Sequence, residues 1–299
     1  MSNPVFDRLD TITKDRTPNG YPQMPGYQPG SQNPQSYQAT VAGTYTQPGA
    51  TDMRQYEQMY SGPAADSVDT GRITYDDVLI KSAVLFALVL GSAAVNWYLF
   101  LMNPGLGVML TGIGAIGGLV TALVNIFKRE PSPVLVMAYG VFEGLLLGGI
   151  SLVFNNAYPG VVMQAMVASF VVFGVTLFLF SFGFVRNSSK LMMVGLVGII
   201  SLGLLQLVNW VLIMFNLTSS PWGIEGGTIF GIPVAALLGI IVVILGAISF
   251  IGDFDQIKQA VNRQIPQKYS WTLAFGLMVT LIWLYVNLLR YASILAGRD

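Results

Sequence analysis

IFGIPVAALLGIIVVILGAISFIGDFDQIKQAVNR, residues 229–263, decides the fold. No charged side chain occurs from Gly226 to Gly252, and then Asp253, Asp255, Lys258 and Arg263 follow in close order. A helix needs ~20 predominantly apolar residues to cross ~30 Å of hydrocarbon, and this run supplies them. The polar stretch that begins at Asp253 marks the exit from the lipid.

The pattern recurs on both sides. Apolar runs at 80–101, 106–127, 133–153, 160–183, 191–215, 229–251 and 271–293 predict seven spans. They are separated by NPG from 103, KREPSP from 128, NNAYPG from 155, VRNSSK from 185, NLTSSPWGIEGG from 216 and DFDQIKQAVNRQIPQKY from 253. Helices are required, because an open strand edge cannot cross lipid with unpaired backbone groups. The expected fold is all-α: a polytopic membrane protein with a seven-helix transmembrane bundle, residues 75–299. Clusters of small residues at Gly112, Gly144 and Gly195 permit close helix contact and a compact bundle.

Composition agrees. The chain has 299 residues, of which 53% are hydrophobic and 10% charged, against about 25% charged in soluble domains. Mean hydropathy is +0.61. Net charge is zero, so nothing points to a nucleic-acid partner. Cysteine and histidine are both lacking, which excludes disulfides, thiol chemistry, thiolate or imidazole metal sites and a histidine acid–base catalyst. No cofactor is called for.

Residues 1–74 read differently. Pro18, Pro22, Pro25, Pro29 and Pro34 interrupt a stretch rich in Gly, Gln, Tyr and Ser, with neither helical nor strand period. That composition predicts a disordered cytoplasmic tail. No secretory signal is visible in its first residues. RITYDDVLIKS, 72–82, predicts a lead-in to the first span, with Thr74 and Asp77 as a capping pair.

Orientation follows from the loops. Lys128 and Arg129, Arg186 and Lys190, and Lys258, Arg263 and Lys268 mark alternate loops, while the loops near 102, 155 and 216 carry no Lys or Arg. The positive-inside rule places the N-terminus in the cytoplasm and the C-terminus outside the cell membrane.

Charges at membrane depth mark function. Glu143 lies about 15 Å into the third span at 1.5 Å per residue. A carboxylate there must be protonated, paired or facing water, so it is a gating or transport candidate, with a structural hydrogen bond as the plain alternative. Asp253 and Asp255 end the sixth span and point roughly 200° apart on a helix. Asp253 is the candidate facing the bundle, and Asp255 reads as a solvated interfacial charge. Arg290 and Asn287 lie in the last span; Arg290 pairs inward with a carboxylate or snorkels to headgroups. Asn96, Gln164, Gln206 and Asn209 read as helix–helix glue. Oxygen ligands of this kind suit Ca²⁺.

The seven-span layout, Glu143–Gly144, FIGDFDQIKQAV and WLYVNLLRYASIL together resemble the Bax inhibitor family of membrane proteins, in its bacterial branch, over 78–296. The long tail is similar to an actinobacterial version. The resemblance implies a last helix wrapped by six others. It also implies a pH-sensitive calcium leak channel, latched by an aspartate in span 6 and a second in span 7 that share a proton. Asp253 matches the first. The second falls near Met278 and is missing, as is the family's inward Arg in span 2. A single interfacial Asp253 would keep an ordinary pKa near 3.9, which leaves Glu143 as the expected source of any near-neutral pH response.

Two functions follow. One is a membrane ion-permeation protein for Ca²⁺ or H⁺, gated through intramembrane carboxylates. The other is a non-conducting membrane interaction protein that modulates a membrane protease or a stress response. An intramembrane enzyme fits poorly, because only Glu143 is deep.

Overall fold

The computed structural model describes residues 71–128, 132–218 and 220–297. The predicted tail, up to residue 70, lies outside them. Among the described residues, seven helices are long and apolar enough to cross a membrane. They are α1 (Tyr75–Met102), α2 (Pro104–Phe127), α3 (Pro133–Ala157), α4 (Val161–Ser181), α5 (Ser189–Met214), α6 (Val234–Asn262) and α7 (Ser270–Ala296). Among the described residues the only strands are a two-residue hairpin, β1 (Thr228–Ile229) with β2 (Ile232–Pro233).

Local chemistry sets the ends. The Asp77 amide donates to Thr74 Oγ1 at 3.1 Å, and the Thr74 amide to Asp77 Oδ2 at 3.1 Å. This reciprocal cap starts α1 before the apolar run begins. Asn103 ends α1 and caps α2 through the Leu106 amide at 3.2 Å, with Pro104 in the first turn, where its missing N–H costs nothing. Ahead of the cap, the Ile73 amide donates to the Ile265 carbonyl and the Gln267 amide to the Gly71 carbonyl, both at 2.9 Å. Residues 71–74 are thereby pinned to the loop that leads into α7.

The sixth span differs most from expectation. Phe230 and Gly231 take positive φ in the tight hairpin, so α6 starts at Val234 rather than at 229. It then continues to Asn262, well past the apparent exit at Asp253. Phe250, Phe254, Ile257 and Ala260 recur at helical spacing and are buried, which carries the helix on through its polar residues.

α7 is the most buried span, and its residues enter all three core clusters. It packs chiefly on α1, α3, α4 and α6. The expected ring of six is not closed: α2 leans on α1 and α3, and α5 on α6. The physical reason is glycine. A Cβ on Gly114 of α2 would lie 2.6–2.7 Å from the α3 backbone at Leu146 and Phe142, and one on Gly148 of α3 would collide with the Ala93 carbonyl of α1. Helices α1, α2 and α3 therefore close on each other, with α2 outermost. Large apolar side chains such as Ile116 and Leu204 remain exposed to the bilayer.

Candidate functional site at the seam between α6 and α7

Asp253 faces α7 and is 4% exposed. Thr280 Oγ1 donates to its Oδ2 at 2.7 Å, and the same hydroxyl lies 3.3 Å from the Gly276 carbonyl. Asp253 is buried against α7 rather than solvated, and α6 runs nine residues beyond it, about 14 Å at 1.5 Å per residue. The position that meets it differs from the expected one. Met278 turns into the cluster with Leu85 and Val89, and Thr280, on another face of α7, takes the partner's place.

Asp255 diverges from it. Its Oδ2 accepts from Asn187 Nδ2 at 2.8 Å and from Gln259 Nε2 at 2.7 Å, tying α6 to the segment between α4 and α5. Glu143 is half-buried on the side of α3 that also presents Val136, Tyr139 and Leu147 toward α7. Its carboxylate end reaches α2, where a Cβ on Gly118 would lie 2.7 Å from Oε2. Glu143 and Asp253 thus occupy separate seams. Among the described residues, no three acidic side chains form a group able to hold a metal ion.

The other end of the α6–α7 seam is polar too. Gln206 Nε2 of α5 donates to Asn287 Oδ1 at 2.8 Å. Arg290 meets Glu225 at 2.6 Å. Glu225 comes from the turn Gly223–Gly226 between α5 and α6 and is fully buried. Asn209 holds that turn, donating to the Trp222 carbonyl at 3.0 Å and accepting from the Ile224 amide at 2.8 Å. Burial pushes the Glu225 carboxyl above the usual range, and the Arg290 guanidinium pulls it part of the way back. Arg290 therefore pairs inward, with a residue not among the sequence candidates. The one hint was that Glu225 is the sole charge in its loop. Of the glue residues, Asn96 donates to Thr111 at 3.0 Å and to the Leu145 carbonyl at 2.6 Å, joining α1, α2 and α3. Gln164 is exposed instead.

Between these polar ends the seam is apolar. Thr280 and Asn287 are about 10 Å apart along α7. Leu284 lies between them, fully buried, with Cδ1 2.8 Å from where a Cβ on Gly246 of α6 would sit. The geometry is therefore a carboxylate at one end, an ion pair and two amides at the other, and a leucine against a glycine in the middle.

Seven helices of this length and hydropathy define a multi-pass membrane protein with the bilayer as its surroundings. The chain belongs to the Bax inhibitor 1 like family, whose model matches residues 3–297. The match extends beyond 78–296 and takes in the N-terminal region. No curated protein matches the chain.

Proposed function

We propose that this protein lets Ca²⁺ or H⁺ across the membrane along the α6–α7 seam, as a leak channel gated through intramembrane carboxylates. The observation that carries this reading is Asp253, a carboxylate buried in the bundle and held on α7 by Thr280. Such a group is costly at that depth, which is why intramembrane carboxylates line ion and proton paths. In this reading the arrangement described above is the closed form. Leu284 against Gly246 makes the apolar barrier, and apolar constrictions of this kind stop ions by excluding water. Opening parts α6 from α7, breaks the Thr280–Asp253 bond and frees the carboxylate as a weak oxygen ligand. A hydrogen bond to a charged group contributes about 1.5–3 kcal/mol, small enough for a switch. The shared-proton latch of two aspartates has no place here, since a hydroxyl faces Asp253. The basic loops put the start of α1 in the cytoplasm and the end of α7 outside, and the tail suits the bacterial branch of the family.

Ca²⁺ flux into liposomes of the pure protein tests the reading. Flux above that of protein-free vesicles, altered by Asp253→Asn, is expected. Glu143 lies outside the α6–α7 seam, so it would act on opening through the packing of α3 on α7 rather than in the path itself. Glu143→Gln should change flux while costing about 0.5 kcal/mol or less in stability, since Gln keeps shape and hydrogen bonding. A stability loss with unchanged flux would make Glu143 structural.

One observation favours a second reading. The tail joins the bundle where residues 71–74 grip the loop before α7, which suits a docking segment that acts on a membrane protease or other membrane protein without conduction. Flux equal to that of protein-free vesicles would favour it.

A further inference from the structure

A cleft of about 370 Å³ opens between α1 and α4, within the membrane-spanning part of the bundle. Both helices lean on α7. They meet each other at the edge contact of Phe86 with Phe170, whose ring centres are 5.5 Å apart. Beyond that contact, toward the end of α1, the helices part, and Ala94 and Met166 form the two walls. Ser151 of α3 and Tyr285 of α7 lie at the floor, their hydroxyls bonded to each other at 2.7 Å. One of the two hydroxyls donates to the other.

We infer that this cleft holds one acyl chain of a bilayer phospholipid. The volume is that of a ligand site. From Phe86 to Trp97 it runs roughly 16 Å along α1 at 1.5 Å per residue, about half of the ~30 Å hydrocarbon core and so the depth of one leaflet. It is continuous with the lipid-facing surface, whose occupants are acyl chains. Left empty, its walls lose dispersion contacts on one side, and an alkyl chain restores them without asking for a hydrogen bond. Trp97, at the outer end, sits where interfacial aromatics meet headgroups. The chain fills the gap between α1 and α4 and thereby fixes how both lean on α7.

The test reconstitutes the full protein in vesicles containing a phosphatidylcholine with a photoreactive diazirine midway along one acyl chain, followed by peptide mapping. Label should concentrate on the segments carrying Ala94, Met166 and Tyr285. It should fall to the level of lipid-exposed α2 in Ala94→Phe and, from the opposite wall, in Met166→Trp. Val120→Phe, on exposed α2, should leave it unchanged. Two variants on different helices guard against one that fails to fold. Label spread evenly over the lipid-facing helices, or undiminished in both filled variants, would overturn the inference. So would labelling of the cleft by a diazirine free fatty acid but not by the phospholipid.

Discussion

Arg290→Met is expected to destabilise the bundle by about 3–5 kcal/mol, the usual consequence of stripping a buried charge of its partner. Glu225 is fully buried, and Arg290 lies 2.6 Å from it. Met fills similar space but leaves the carboxylate uncompensated. The loss should depend on pH with a definite sign. The Glu225 carboxyl already sits above its ordinary value of 4.5 through burial, with Arg290 opposing the rise. Without the guanidinium the folded-state value climbs further. Above 4.5 the folded protein then holds a proton that the unfolded chain has released. Stability is therefore present in acid and lost as pH rises through the raised folded value. Glu225→Gln combined with Arg290→Met should recover most of the loss, because no buried charge remains. Thermal unfolding in detergent across pH reads all of this. A single variant within about 1 kcal/mol of the parent at neutral pH would show that Glu225 reaches water.

Gly148→Leu is expected to part α1 from α3. A side chain there meets the Ala93 backbone carbonyl, which cannot rotate away as a side chain could. Overpacking costs typically about 1–3 kcal/mol, and a clash with rigid backbone belongs at the upper end. Gly91→Leu on α1, where a Cβ meets nothing within 4 Å, is the control and should be near neutral. Equal unfolding temperatures for the two variants would contradict the close α1–α3 packing.

The seven spans were legible because each apolar run is long and each break contains polar residues, Pro or Gly. The end of α6 was not. Hydropathy falls at Asp253, yet Phe254, Ile257 and Ala260 keep a buried helical stripe that carries the helix to Asn262. That continuation packs Asp253 against α7 instead of leaving it solvated at a helix end. Asp253 itself was legible as a charge beside an apolar run. Its partner was not, because Thr280 and Met278 are two residues apart on α7 and only packing decides which one turns to α6. Glu225 was least legible. A lone acid among Gly, Ser and Pro reads as solvated, and it becomes buried only when Asn209 grips the turn and Arg290 reaches it.

The absence of native cysteine makes the central claim directly measurable. Gly246→Cys with Leu284→Cys places two thiols at the apolar middle of the α6–α7 seam, where Leu284 Cγ lies 3.5 Å from the Gly246 Cβ position. A sulfur introduced at 284 would stand close to that Cγ, and across a disulfide the sulfur lies about 3 Å from the partner's Cβ, so a small adjustment closes the bond. Ca²⁺ flux into liposomes of this variant should be abolished on oxidation and return on reduction. Flux that is the same in both states, with the disulfide verified by mass, would contradict a path along this seam.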